Sequence, residues 1–150
     1  MSRRVPRGAT VTEATVSRQL IRHLHTELPD ALPLRHEDKF TKGVPDLSIS
    51  LAGHTSFWEL KYADPDIQSS KLQRYMCQQL DTRGFFCRYV IFRRGHAHHW
   101  PRQIRVVTPH DFAHWRTLGL VISSGAFDYR ALVRYIQEIH ERHHHSHAAQ

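Results

Sequence analysis

The sequence predicts an α/β protein: a helix, three strands, a helix and a strand around a mixed central sheet, then a C-terminal helical extension. Three observations carry this expectation. Residues 10–28 hold apolar side chains at helical spacing. Residues 45–62 hold two strand-like runs joined by Ala52-Gly53-His54. Residues 56–93 read strand, helix, strand, the pattern of a crossover that returns a strand parallel to its neighbour.

The first helix is expected over residues 10–28. Thr10 serves as N-cap, Glu13 completes a capping box, and Pro29-Asp30 stops the helix. Val16, Leu20, Leu24 and Leu28 form its apolar stripe, and Glu13 lies in line with them. Two accounts of Glu13 stay open: a capping carboxylate at the positive end of the helix dipole, or a metal ligand turned inward. A first strand is expected over residues 33–40. His36-Glu37-Asp38-Lys39 make it polar, which suits an edge strand or one beside a solvated cleft.

The centre of the chain is residues 43–61, GVPDLSISLAGHTSFWELK. Side chains alternate along a strand. A hairpin symmetric about Gly53-His54 sets Ser48 opposite Glu59 and Asp46 opposite Lys61. Asp46, Glu59 and Lys61 then share one face, and Leu47, Ile49, Trp58 and Leu60 share the other. A slip of one residue breaks the grouping. Two carboxylates are hard oxygen ligands suited to Mg²⁺ or Mn²⁺, and the amine can hold a water or a phosphate oxygen. The plainer alternative is a cross-strand salt bridge between Asp46 and Lys61.

A second helix is expected over residues 67–82, with Leu72, Tyr75, Met76 and Leu80 as its buried stripe, Gln73 at the border, and Lys71 and Arg74 on polar faces. Residues 85–93, FFCRYVIFR, read as a buried strand. Residues 94–105 are basic around Trp100. There Arg93, Arg94, Arg102 and Arg105 suit phosphates, and Trp100 suits an unpaired base. A solvated loop anchored by one Trp is the alternative. His96, His98 and His99 lack Cys or carboxylate partners at ligand spacing. Residues 103–107 add a short strand, residues 108–115 resemble a helix start, and residues 119–124 read as an apolar connection. Residues 127–143 form an amphipathic helix whose Leu132, Val133, Ile136 and Ile139 need cover. Residues 143–147, HHHSH, are expected to be a disordered tail with incidental metal affinity.

At 150 residues one domain is expected: a core at about 10–94, a basic loop and helical extension at 95–142, and a tail at 143–150. The net charge of +7, before counting 14 histidines, favours a polyanionic partner without separating nucleic acid from an anionic membrane. The basic residues 1–12 are expected to be a frayed or DNA-contacting arm. Two cysteines, Cys77 and Cys87, form no disulfide framework, and no apolar run approaches a membrane span. An intracellular, reducing location is expected.

Pro45-Asp46 followed by Glu59-Leu60-Lys61 resembles the PD-(D/E)xK nuclease motif. Gly43-Val44 before it and Ser70-Lys71-Leu72-Gln73 after it are similar to the VRR-NUC branch, akin to Holliday-junction resolvases. The resemblance covers about residues 10–94. It implies a restriction-endonuclease-like αβββαβ core and Mg²⁺- or Mn²⁺-dependent cleavage of DNA, with branched substrates and a homodimer. It places Asp46, Glu59, Lys61 and Gln73 in catalysis. Metal ligation falls to Asp46, Glu59, the Leu60 carbonyl and Glu13. The basic residues Lys42, Lys71, Arg74, Arg93, Arg94 and Arg102, read from their charge and placement and not from the motif, are the expected nucleic-acid contacts. A non-catalytic DNA-binding module of the same fold, or a nuclease subunit that needs a partner, fits the same motif.

Overall fold

The computed structural model describes residues 11–36, 43–96 and 100–148. It is a mixed α/β fold built on a six-stranded sheet. In chain order the elements are α1 (Glu13–Glu27), β1 (Leu32–Arg35), β2 (Leu47–Leu51), β3 (His54–Ala63), α2 (Lys71–Thr82), β4 (Cys87–Arg93), β5 (Gln103–Val107), a single 3-10 turn (Phe112–His114), β6 (Leu120–Ser124) and α3 (Tyr129–Ala148). The strands lie in sequence order. All neighbours are antiparallel except β3 and β4, which run parallel with α2 as the crossover between them. No helix among the described residues is long and apolar enough to cross a membrane.

The two faces of the sheet have different cover. On one, Trp58, Leu60, Val90, Phe92, Ile104 and Val106 pack with Val16, Leu20 and Leu24 of α1 and with Leu132, Val133 and Ile136 of α3. On the other, Ala63, Cys87, Tyr89, Ile91 and Val107 pack with Cys77, Phe112 and Trp115. The alternation along β3 therefore sends Trp58 and Leu60 one way and Glu59 and Lys61 the other.

Several boundaries and partners differ from the expectations. Thr12, not Thr10, caps α1: its side chain accepts from the Thr15 amide at 3.3 Å. Glu13 is thus the first helical residue and is released from the capping box. The expected arm at residues 1–12 lies almost entirely outside the described residues, as do Thr10, Glu37, Asp38, Lys42, His98 and His99.

The central hairpin turns on two residues, Ala52 (φ 53°) and Gly53 (φ 76°). Tight hairpins of the primed type need positive φ at both central positions, because that twist matches the flanking strands. Leu51 therefore pairs with His54, and Leu47 with Trp58. One step further, Asp46 falls opposite Glu59 instead of Lys61. The register is two residues from the expected one, and an even shift leaves every side chain on its expected face.

α2 begins at Lys71, not at residue 67, because Ser70 and Gln73 form a reciprocal capping box. The stripe expected to bury α2 does not do so. Leu72 and Tyr75 are exposed, Met76 and Leu80 are half-buried, and Cys77 alone is buried. The expected helix after residue 108 is only the 3-10 turn, and residues 120–124, expected as a connection, form the edge strand β6.

α3 runs to Ala148, so the histidine-rich stretch is helical instead of disordered. Its Leu132, Val133 and Ile136 are buried against α1 and the sheet of the same chain. Three of the four apolar residues expected to need cover thus find it within the chain, while Ile139 is half-buried.

Candidate active site

Asp46, Glu59 and Lys61 converge where β2 begins and β3 approaches its end. The Leu60 amide donates to Asp46 Oδ2 at 3.0 Å, tying the carboxylate to the neighbouring strand. Glu59 is fully buried, and among the described residues no donor hydrogen-bonds to either oxygen of its ionised carboxylate; protonated, it can donate to the neighbouring Asp46 carboxylate. The closest cation is the Lys61 ammonium, 3.5 Å from Oε1. Burial first, and the Asp46 carboxylate second, push the Glu59 carboxyl up to about 9. A buried acid in this state is protonated at neutral pH unless a positive charge joins it.

Lys61 is itself buried, and its Nζ donates to Gln73 Oε1 at 3.2 Å. The same Gln73 oxygen accepts from the Ser70 amide at 3.2 Å and from Ser69 Oγ at 3.4 Å. One side chain thus closes the N-terminus of α2 and holds the lysine. Ser70-x-x-Gln73 is a capping-box pattern visible in the sequence. Behind Glu59, the Cys87 thiol beside Cys77 draws the Cys77 thiol down, while burial pushes the Tyr89 hydroxyl up.

Glu13, Asp46 and Leu60 line a cleft of about 190 Å³ between the start of α1 and the sheet. Glu13 as a residue is exposed, but partial desolvation of its carboxyl at the cleft raises it, opposed by Lys61 and by the Tyr62 backbone. Three of the four residues expected to ligate metal therefore share one cleft. Glu59 and Lys61 lie outside its lining.

Ser17, Arg35 and His36 also line the cleft, and sequence reasoning did not assign them to it. The His36 amide donates to the Asp46 carbonyl at 2.8 Å, and its Nε2 lies 2.9 Å from Ser48 Oγ. The polarity of residues 36–39 was a signal for this cleft, but the residue that reaches it depends on the β1–β2 register.

The predicted nucleic-acid contacts separate. Lys71 and Arg74 are exposed on α2. Arg93 stacks on Trp100 at 4.5 Å, on the same sheet face as Glu59 and Lys61. Arg94 pairs with Asp64 at 2.9 Å, and Arg102 sits over Phe127 at 5.1 Å, on the α1–α3 side. Lys42 lies outside the described residues.

Among the described residues, no group of three or more His, Cys, Asp and Glu side chains is placed to hold a metal ion. Mg²⁺ needs only one or two carboxylates, filling its remaining positions with water and substrate phosphate. The donorless oxygens of Glu59 beside Asp46 fit that smaller requirement. Neither a family model nor a curated protein matches the chain.

Proposed function

We propose that the protein is a divalent-metal-dependent endodeoxyribonuclease of the PD-(D/E)xK type, in the VRR-NUC branch with its restriction-endonuclease-like core. The observation that carries this reading is Glu59: a fully buried carboxylate with no hydrogen-bond donor among the described residues, beside a second carboxylate and a buried lysine. Such an arrangement costs folding energy unless a cation completes it. The order helix, three strands, helix, strand supports the same reading.

Asp46, Glu59 and the Leu60 carbonyl would hold Mg²⁺ or Mn²⁺, with Glu13 at the mouth of the cleft. When bound, the ion polarises a phosphoryl oxygen and lowers the pKa of its water. Asp46 is oriented by the Leu60 amide, so its second oxygen is directed without side-chain search. Lys61, fixed by Gln73, presents an ammonium to the negative charge that develops on the phosphate. The buried setting strengthens that interaction relative to water.

Selectivity for branched DNA and a two-fold dimer are the finer parts of the proposal, and they rest on the motif resemblance. Incubating end-labelled linear, flapped and four-way DNA with Mg²⁺, Mn²⁺ or EDTA tests the reading. Cleavage with either metal and none in EDTA is expected. Cleavage that persists in excess EDTA rejects it. Sedimentation at low micromolar concentration with junction DNA tests the dimer, and a strictly monomeric species rejects it.

A further inference from the structure

Arg93, Arg105 and Arg116 converge beside two tryptophans on the sheet face that carries Glu59 and Lys61. The Arg93 guanidinium lies 4.5 Å from the Trp100 ring centroid and 5.5 Å from that of Trp115. Arg116 covers Trp115 at 4.7 Å. The result is a ladder of Trp100, Arg93, Trp115 and Arg116. Arg105 projects from β5 toward the same side, held by Gln103 Oε1 at 3.2 Å and the Leu118 carbonyl at 2.9 Å.

The charge of this cluster is poorly compensated. Asp66 pairs with Arg116 at the exposed rim, and Arg93 has no carboxylate partner among the described residues. Burial, then repulsion from Arg116 and Arg105, pulls the Arg93 guanidinium down. Like charges gathered on planar, rigid side chains fit an anion with several acceptor oxygens.

The sheet register fixes where this cluster stands. Lys61 pairs with Ile91, and Ile91 with Arg105, while Ala63 pairs with Arg93. Lys61 and Arg105 thus lie in one row, two strands apart and on one face. Strand spacing puts them about 10 Å apart. In one strand of duplex DNA, phosphates advance about 3.4 Å along the axis per nucleotide while also winding around it, so their spacing through space is larger than the rise. The row is therefore long enough for neighbouring phosphates of one strand to reach both residues.

We propose that Arg93, Arg105 and Arg116 form a phosphate subsite that holds the substrate strand at phosphates neighbouring the one at Lys61. The proposal rests on the nuclease reading and deepens it. Ile91, between Lys61 and Arg105, is buried with Phe112 and Trp115. The substrate is then a polynucleotide strand that passes along the exposed rim of this face, and contact is to its backbone and not to base identity. Trp100 and Trp115 keep the Arg93 guanidinium planar to that backbone.

The test is binding of a fluorescein-labelled 20-base-pair DNA by the full chain in EDTA across a NaCl series, which needs no turnover. Each lost phosphate contact lowers the salt slope of log K by about 1. R93Q and R116Q should each show that drop, uniformly over unrelated DNA sequences, and the double variant a drop of about 2. R93K should keep the slope. Arg116 is exposed, so R116Q keeps the test open if R93Q fails to fold. R134Q, an exposed substitution on α3 behind the other sheet face, should leave the slope unchanged. A wild-type slope in both R93Q and R116Q, or an equal drop in R134Q, overturns the subsite while leaving the nuclease reading standing. A wild-type protein that binds no DNA overturns both.

Discussion

The strand β3 carries two buried polar clusters, and they are built on opposite principles. Near its start, Ser56 Oγ accepts from Trp58 Nε1 at 2.7 Å and lies 2.9 Å from His140 Nε2. His140 Nδ1 lies 3.3 Å from the Leu51 carbonyl. A neutral imidazole with its proton on Nδ1 satisfies every member: Nδ1 donates to Leu51, and Nε2 accepts from the Ser56 hydroxyl. Three residues further on, Glu59 is as deeply buried, and among the described residues neither oxygen has a hydrogen-bond donor. The first cluster fastens α3 to the hairpin. The second sets two carboxylates, Asp46 and Glu59, against the single ammonium of Lys61, leaving room for a further positive charge. Burial alone does not tell the two apart; the hydrogen-bond account does.

The comparison breaks most visibly under substitution. Asp46→Ala and Lys61→Ala should each lower the cleavage rate by about 10²–10³-fold, the usual loss for one preorganised charge-stabilising group. Their melting curves should remain cooperative. In the other cluster, Ser56→Ala orphans a buried indole N–H and an imidazole nitrogen. It should cost about 1–3 kcal/mol of stability and leave cleavage per folded molecule unchanged. Denaturant titration beside a rate assay separates the two patterns.

The two clusters should also respond to pH with opposite signs. Glu59 is raised from 4.5 to about 9, so the folded state binds more protons than the unfolded state between these values. Its contribution is full below pH 4.5 and is lost as pH rises toward 9, at up to about 1.4 kcal/mol per pH unit. His140 is lowered from 6.5 by burial, so its contribution is lost as pH falls below 6.5. Metal-free protein should therefore lose stability on the alkaline side through Glu59 and on the acid side through His140. Urea midpoints of H140A and of wild type from pH 5 to 9 check the signs.

The smallest expected effect concerns α2. Leu72→Ser and Tyr75→Ser change exposed positions and should move stability by no more than about 0.5 kcal/mol. Leu132→Ala on α3, fully buried, should cost about 2–5 kcal/mol. The reverse ranking would show that α2, and not α3, is the helix that packs on the sheet.

These two helices show what was legible in the sequence and what was not. Both have apolar stripes at helical spacing, and that spacing correctly gives a helix in each case. It does not say which stripe finds cover. α3 has room against α1 and the sheet face of Trp58 and Leu60, whereas α2 meets the sheet through Cys77 and the half-buried Leu80. The hairpin was legible for a related reason. Alternation assigns Asp46, Glu59 and Lys61 to one face, and only a shift by an odd number of residues would undo that. The actual register, two residues from the expected one, came from Ala52 adopting positive φ, which nothing in an alanine announces. β6 escaped notice because Leu120 and Val121 are exposed on an edge, leaving no alternation to read. The place of His36 in the cleft, and of Arg105 in line with Lys61, exists only once strands are paired.

The most direct test of the central claim is one variant measured twice. Glu59→Gln keeps the shape of the side chain and removes its charge. At pH 8 and without metal, it should be more stable than wild type, with the alkaline loss of stability gone, because it no longer has to take up a proton on folding. The same protein with Mg²⁺ or Mn²⁺ should show no detectable cleavage. A variant that is less stable than wild type at pH 8 and still cuts DNA would contradict the account: Glu59 would then be a structural group, satisfied by its surroundings like Ser56.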